Sequence, residues 1–336
     1  MALQQLLGGL FRSLRLHTFV FVFRILLHWR TAAHIRRDNA VLPLAEAGVR
    51  KKRFLIPSRD PGRTILAHLY LPLKPSEDGR PLPVLRLRLP LHGTDAYFCT
   101  RMARDAGLAV LDADYRKAPE HPFPAAIDDA EDALRWVASH AASAAYNLDP
   151  SRVAVSGFSA GGHIAAVAAS HLKQKLETEK EEKLGGLKIQ MLLSIYGSTD
   201  LATDATTKKP PSPSLRAHAP LDPQHVRRRL RARPGFAGGP GRVAGTTAFL
   251  TCEGDNLRWE IETLVERLRE MEGGTEGNEG NGGKKREVHY KMLEGVCHAF
   301  DKGIKEDGGG SLVWRRREEA YAWAASLLKD ALHPQQ

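Results

Sequence analysis

Cysteine is scarce in this chain, and its scarcity excludes two kinds of structure. The 336 residues contain only Cys99, Cys252 and Cys297, with no C-x-x-C pair among them. An odd number without paired spacing argues against a disulfide framework and against a zinc site. Each cysteine is therefore expected to be a small buried hydrophobe, which suits a reducing compartment inside the cell, the cytoplasm first of all.

Long uncharged hydrophobic runs are also missing. The N-terminal segment Leu3–Trp29 is rich in leucine and phenylalanine, but Arg12, Arg15 and Arg24 interrupt it. Its uncharged runs, Leu16–Phe23 among them, are far shorter than the ~20 residues that cross a bilayer. No small-residue cleavage site follows, which argues against a secretory signal. We predict an amphipathic helix that lies either over an active site or on a membrane surface as a peripheral contact.

The basic residues are numerous but lack the aromatic partners that nucleic-acid binding uses. Lysine and arginine outnumber the acidic residues by 49 to 39, giving a formal charge of +10. They fall into scattered clusters, without the interleaved aromatic rings on which single-stranded nucleic acid stacks. The clusters are Arg50–Arg53, Arg227–Arg233, Lys284–Arg286 and Arg315–Arg317. We therefore expect a solvated basic surface and no nucleic-acid partner.

Short β-rich runs alternate with helical patterns along the chain, which predicts a doubly wound, mostly parallel sheet in one domain spanning 1–336. Four apolar runs without alternation are typical of strands buried on both faces. A Pro-Gly turn predicts that the first two strands are antiparallel. The Gly-, Glu- and Asn-rich stretch 273–286 is predicted to be a flexible surface loop. The predicted strands are Arg53–Ile56, Thr64–Leu71, Val84–Leu91, Ala109–Asp114, Arg152–Ser156, Gln190–Tyr196, Thr247–Cys252 and Val288–Leu293, and the predicted helices are Ala96–Asp105, Ala125–Ser139, Gly162–Leu176, Leu257–Met271 and Leu312–Leu332.

The strongest local signal for chemistry is a G-x-S-x-G motif centred on Ser159. It occurs once, between a predicted strand and a predicted helix, which is the context of a nucleophile elbow. The turn is so tight that the serine takes strained dihedral angles and its neighbours must be small. The following helix directs its free N–H groups at the same point. We predict Ser159 as a nucleophile, supported by Gly157, Gly161 and Gly162.

A serine nucleophile needs a base and an acid that orients the base, in the chain order serine, acid, histidine. His298 lies between the last predicted strand and the last helix, in a loop position that suits a base. His289 is the alternative, although it lies within a predicted strand. Asp255 is favoured as the acid because it opens a helix at the carboxyl edge of the sheet. Glu253 and Asp200 are the alternative acids.

Four segments together resemble the hormone-sensitive-lipase-type α/β-hydrolases (α/β-hydrolase fold-3), especially the fungal esterase-like members. They are Asp114–Ala125, the elbow with Gly162, Gly254–Leu257 and Gly295–Phe300, and they occur in the family's order. The resemblance implies an eight-stranded sheet with helices on both faces and a partial helical cap from 1–48 and 201–245. It also implies a carboxylic ester hydrolase for small-molecule esters, with no metal or organic cofactor.

The chain departs from this family where the oxyanion hole is expected. The family places His-Gly-Gly-Gly after its third strand, but here His92 and Gly93 are followed directly by Thr94. The N–H of Ala160 remains as one donor, with those of Gly93 and Thr94 as second donors. Losing one such donor typically costs ~10²–10³ in kcat. We therefore expect an esterase for small or medium acyl groups with a low kcat, or else a non-catalytic ligand-binding protein on the same scaffold. Arg116, Glu120, Asp128 and Asp129 are expected to form a structural charge network.

Overall fold

The computed structural model describes residues 40–74, 82–87, 94–178, 186–200, 245–273, 287–302 and 310–333, together with scattered positions between 15 and 36. Within these residues eight strands form one sheet in the order β1-β2-β4-β3-β5-β6-β7-β8. The first strand pairs antiparallel with the second, and the second with the fourth, whereas all other pairs are parallel. The strands are β1 Val49–Pro57, β2 Thr64–Pro72, β3 Leu82–Leu87, β4 Leu108–Ala113, β5 Val153–Phe158, β6 Ile189–Ile195, β7 Thr246–Gly254 and β8 Glu287–Cys297.

Every predicted strand is present, and the largest differences lie at the ends. The last strand extends four residues beyond its predicted end, so Gly295–Cys297 belongs to β8. The predicted strand end at Leu293 was too early: the strand continues past Gly295, which takes φ 74, with a shift in register. His298 nonetheless lies immediately beyond the strand end, as the prediction of a base after the strand requires.

Among the described residues, six helices lie between or after the strands and cover both faces of the sheet. Five of them match predicted helices, while α3 was not predicted because seven residues rich in alanine carry no apolar period. Its start is fixed by Ser139, whose side chain accepts a hydrogen bond from the Ala142 N–H. The helices are α1 Ala96–Asp105, α2 Ala125–Val137, α3 His140–Tyr146, α4 Ala160–Thr178, α5 Arg258–Gly273 and α6 Leu312–Leu332.

Alternate residues of the central strands enter two separate cores, as a pleated strand requires. In β4, Leu108 and Val110 pack with α1 and α6, whereas Ala109 and Leu111 pack with α2 and α4. A smaller cluster joins α5 to the outer strands through Phe249. Both faces of β4 and β5 are fully buried, which confirms the prediction made from their unalternating apolar sequences.

Several predicted features fall outside the described residues. These are the cap segment over residues 201–244, loop residues 274–286, and the oxyanion residues His92 and Gly93. The described positions between 15 and 41 are helical, and several of them carry exposed apolar side chains. No helix among the described residues is both long enough and apolar enough to cross a membrane.

Candidate active site

The predicted elbow forms a sharp turn between β5 and α4. Ser159 takes φ 50, in the left-handed region that residues with side chains seldom adopt, and α4 begins at the next residue. Its N–H donates to the carbonyl oxygen of Ile195 at 3.0 Å, which ties the turn to β6. A Cβ on Gly157 would lie 2.2 Å from the carbonyl carbon of Gly161, so only glycine fits there. The strain therefore serves to hold one hydroxyl at the end of the sheet.

Ser159, His298 and Asp255, the triad cluster, form a continuous hydrogen-bonded chain. The Oγ of Ser159 lies 2.9 Å from Nε2 of His298, and Nδ1 of His298 lies 2.9 Å from Oδ2 of Asp255. Asp255 is buried, while His298 keeps about a third of its side chain exposed. A carboxylate on Nδ1 holds the imidazole in the tautomer whose Nε2 can accept a proton from the serine.

The backbone fixes the Asp255 carboxylate in place. β7 ends at Gly254, and Oδ1 of Asp255 accepts a hydrogen bond from the N–H of Leu257 at 2.8 Å, just before α5 begins. One oxygen thus serves the local turn while the other faces the imidazole. Of the three acids considered from the sequence, the structure brings this one to His298.

The two alternative acids make other contacts. Glu253 is part of β7, and its Oε2 accepts a hydrogen bond from the N–H of Gly295 at 2.8 Å, which steadies the strand before His298. The segment that contains Asp200 is held by Glu260, whose Oε1 accepts from the N–H groups of Thr199 and Asp200. The alternative base, His289, lies on β8 with Nε2 3.5 Å from Glu287.

Four neighbouring parallel strands place these groups at one edge of the sheet. Ser159 follows β5, Asp255 follows β7 and His298 follows β8, and β6 lies between the first two. Carboxyl ends of parallel strands meet at the same edge, which is where α/β folds place their sites. Ala299 takes φ 56 directly after the histidine, so strained backbone recurs on the second side of the site.

The predicted oxyanion donors are only partly within the described residues. Ala160 is the first residue of α4, where the helix leaves its N–H groups without partners inside the helix. Thr94 lies in a turn, with only Asp95 between it and the start of α1. Gly93 and His92 lie outside the described residues, as noted above.

A thiol stands next to the base but is a weak competitor as nucleophile. Burial, together with the negative charges of Asp255 and Glu253, raises the pKa of Cys297 above its ordinary value. The thiolate is the reactive form of cysteine, so this group stays largely protonated near neutral pH. All three cysteines are free.

The sequence reasoning missed several groups around the triad. Tyr196 follows β6 with φ 40, and its ring centroid lies 4.9 Å from that of His298. Its hydroxyl donates to Asp301, which is fully buried three residues after the base. Phe158, the residue before the nucleophile, lies edge-on against Tyr196 and Phe98. Asp301 could have been noticed from the sequence, because it directly follows the motif around His298.

A second group of charged side chains, the hairpin cluster, lies between the β1–β2 turn and α2. Asp129 is buried there and accepts two 2.7 Å hydrogen bonds from Arg63 as well as bonds from Arg116. Arg116, Asp128 and Asp129, three of the four residues expected from the sequence to form a structural charge network, belong to it. The members are Arg59, Arg63, Arg116, Asp128, Asp129, Glu131 and Asp132. Across the described residues, no group of three or more His, Cys, Asp or Glu side chains could hold a metal ion.

The family model described as alpha/beta hydrolase fold matches residues 91–302 of this chain. The chain belongs to that family. The matched region runs from just before the oxyanion segment (residues 92–94) to the end of the histidine loop (residues 298–302), so it contains all the predicted site residues. It leaves out the last helix and the strands β1, β2 and β3, which belong to the same sheet.

The relatives of this α/β-hydrolase are carboxylesterase-like. It is 38% identical over 148 residues to a carboxylesterase of Mycobacterium tuberculosis, NlhH, with 40% of this chain and 43% of the relative covered. It is 35% identical over 158 residues to an ethyl acetate hydrolase of Pseudomonas putida, with 44% of each covered. These matches span less than half the length of the curated relatives. Fungal and bacterial proteins both occur among the relatives, so the comparisons do not favour the fungal members.

Solved structures extend the likeness to nearly the whole chain. An esterase of Mycobacterium marinum, LipW, superposes with a TM-score of 0.67 at 24% identity, covering 92% of this chain and 90% of the other. A thermostable carboxylesterase from a metagenomic library, EstE1, gives 0.64 at 25% identity, covering 92% and 97%. The likeness to LipW, at 24% identity, bears on the fold alone. Together the two structures establish the architecture beyond the region matched by the family model.

Proposed function

We propose that this protein is a serine hydrolase of carboxylic esters. The observation that carries the proposal is the unbroken chain of hydrogen bonds from Ser159 through His298 to the buried Asp255, each 2.9 Å long. Such a chain activates a hydroxyl that is otherwise a poor nucleophile. The carboxylesterase-like relatives favour an ester as the electrophile.

The reaction proceeds in two half-reactions. Oγ of Ser159 bonds to the carbonyl carbon while its proton passes to Nε2 of His298, and Asp255 stabilises the imidazolium. Collapse of the tetrahedral intermediate breaks the ester C–O bond, and His298 returns the proton to the departing alcohol. Water then attacks the acyl-serine with the same base, releasing the carboxylic acid and restoring the hydroxyl.

The oxyanion of each tetrahedral intermediate needs N–H donors in fixed positions. We assign Ala160 N–H as one donor because the start of α4 directs it toward the reaction centre. Gly93 and Thr94 N–H are the proposed second donors. Since α1 begins two residues after Thr94, there is no length for the longer glycine segment of the family.

Reaction with a fluorophosphonate, followed by turnover of p-nitrophenyl acetate and butyrate, tests this function. We expect the protein to label and to hydrolyse both esters, and Ser159→Ala to do neither while keeping its thermal melting point. Ser143→Ala, a serine on α3, is the matched control and should behave like the parent. Turnover retained in Ser159→Ala would remove Ser159 from the mechanism.

The short oxyanion segment favours one alternative function, a ligand-binding protein that uses the same pocket without turnover. His92 and Gly93 are followed by Thr94 where the family has further glycines. A folded protein that neither labels nor hydrolyses, yet is stabilised against heating by carboxylic esters or acids, would support this alternative. Labelling at Ser159 would contradict it.

Small or medium acyl groups are the proposed substrates, within a single domain. Substrate size is set by the walls above Ser159, to which we assign cap contributions from 1–48 and 201–245. A series of p-nitrophenyl esters from two to sixteen carbons tests this, with kcat/KM expected to be highest at the short end. The three free cysteines favour a reducing, cytoplasmic location.

A peripheral membrane contact through the N-terminal segment is a further proposal. Among its described helical positions, Phe19, Phe21 and Leu26 each expose more than half of their surface. Every charged residue before Asp38 is basic, which suits an anionic lipid surface. Sedimentation with phosphatidylserine vesicles, with Phe19→Ser and Phe21→Ser against Leu55→Ser as an exposed apolar control on β1, tests it.

A further inference from the structure

A buried carboxylate, which the triad does not use, lies three residues after the base. Asp301 is 1% exposed, and its two oxygens accept hydrogen bonds from the hydroxyls of Tyr196 and Tyr321 and from Nζ of Lys302. Burial alone would raise the pKa of Asp301, but the ammonium and the two hydroxyls outweigh it and hold that pKa below its ordinary value. The group is thus a fixed negative charge inside the protein.

Lys302 connects this carboxylate to the oxyanion segment. Its Nζ bonds Oδ2 of Asp301 at 2.8 Å and Oδ1 of Asp95 at 2.5 Å, and both acids are buried. The same ammonium lies 4.0 Å from the ring centroid of Phe158, the residue before the nucleophile. One cation therefore contacts the residue after Thr94, the histidine loop and the elbow.

Tyr196 connects the same carboxylate to the base. Its hydroxyl donates to Asp301, and its ring lies against the imidazole of His298 at an interplanar angle of 62°. The tyrosine is fully buried, and its N–H donates to the carbonyl oxygen of Leu250 at 2.6 Å. The backbone of Tyr196 is thus held by β7 and its hydroxyl by Asp301.

We propose that Asp95, Lys302, Asp301 and Tyr196 form a positioning tie that sets the distance between the oxyanion segment and His298. Two residues separate Gly93 from α1, so the place of Asp95 determines where the Thr94 N–H lies. The longer glycine loop of the family can adjust its own backbone to place its N–H groups. The short segment here depends on the position of Asp95 instead. The four act through Thr94 and His298 and have no chemical role of their own in the proposed reaction. The proposal rests on the proposed esterase function.

Two mild substitutions test the tie. Tyr196→Phe removes the hydroxyl but keeps the ring against His298, and Asp95→Asn keeps the shape at the start of α1. Each should lower kcat for p-nitrophenyl butyrate by about 10- to 100-fold with KM within about twofold, because misplacement by ~1 Å costs ~10² in rate. Tyr290 lies on the edge strand β8, and its hydroxyl donates to Glu262 on α5. The control variant Tyr290→Phe removes that hydroxyl and should leave both constants unchanged.

The double variant and the fluorophosphonate rate separate the possible outcomes. If both substitutions break the same tie, their combined effect on kcat is smaller than the product of the single effects. A full product, or an unchanged kcat with only a lower melting temperature, would overturn the tie and leave a purely structural cluster. Failure of the unmodified protein to label would instead count against the esterase function itself, so the two failures are distinguishable.

Discussion

The hairpin cluster and the triad cluster both bury carboxylates, but the backbone beneath them differs. Asp129 belongs to the regular helix α2, and its arginine partners come from a turn and a loop. Ser159 and Ala299 have positive φ, as does Tyr196 beside them. Such strain costs of order 1–3 kcal/mol per residue and persists only where the surroundings enforce it.

This difference teaches where to look for chemistry in such a fold. Three arginines against four carboxylates make the hairpin cluster the more charged region, yet every group in it faces an opposite charge. The triad cluster has a single carboxylate and a neutral hydroxyl, held by strained turns. Strained backbone beside a nucleophile, rather than charge density, marks the reacting site.

The largest expected effect separates the two clusters through their acids. Asp255→Asn should lower kcat by about 10⁴-fold, because an amide at this position favours the wrong tautomer of His298. The kcat is measured from the rate of p-nitrophenyl butyrate hydrolysis. Asp200→Asn is the control, and its kcat should change little. A crippled Asp200→Asn with an active Asp255→Asn would reassign the orienting acid.

Removing Asp129, the central acid of the hairpin cluster, should lower stability and leave kcat unchanged. Asp129→Ala should lower the free energy of unfolding by about 3–5 kcal/mol, because Arg63 and Arg116 lose their buried partner. The kcat per folded molecule should not change. Guanidinium unfolding curves and fluorophosphonate titration of active sites measure the two quantities, and a fall in kcat would mean that the clusters are coupled.

Loop length should matter in one region and not in the other. Inserting two glycines after Gly93 should raise kcat, since each oxyanion donor is worth ~2.7–4 kcal/mol in the transition state, while KM stays near its starting value. The same insertion after Gly62, in the β1–β2 turn, should leave kcat unchanged. Full-strength kcat in the unmodified protein would show that Thr94 or another group already fills the hole.

The smallest expected effect sets a baseline outside both clusters. Ser311 caps the start of α6, and its Oγ accepts a hydrogen bond from the Trp314 N–H at 3.1 Å. Ser311→Ala should cost about 1 kcal/mol of stability with no change in kcat. A measurable fall in kcat in this variant would mean that a loss of stability by itself lowers activity. The other tests could then no longer separate structural residues from residues of the site.

The sequence predicted the strands well because their signal is local. Strands buried on both faces read as short apolar runs, and all eight were placed to within a few residues. Helix α3 was missed because Ser139 and a run of alanines give a start but no apolar face. The position of β4 between β2 and β3 depends on crossovers that no local pattern encodes.

The site residues likewise fall into those with a local sequence signal and those that only the fold brings together. Ser159, Asp255 and His298 each occur in a short motif next to a strand end, so their meeting could be expected from the topology of the family. Lys302 and Asp95 lie 207 positions apart, and Tyr196 and Asp301 lie 105 apart. Single lysines and aspartates carry no motif, so only the folded chain brings these contacts to light.

The hydrogen bond from Tyr321 to Asp301 has a consequence for synthesis on the ribosome. Tyr321 lies on α6, C-terminal to the nucleophile, the acid and the base. Until that helix has emerged and docked, the Asp301 carboxylate lacks one of its donors while the rest of the sheet is already translated. A nascent chain halted before α6 should therefore expose an incompletely satisfied buried charge and a bare apolar face, and should be held by chaperones rather than released as an active hydrolase.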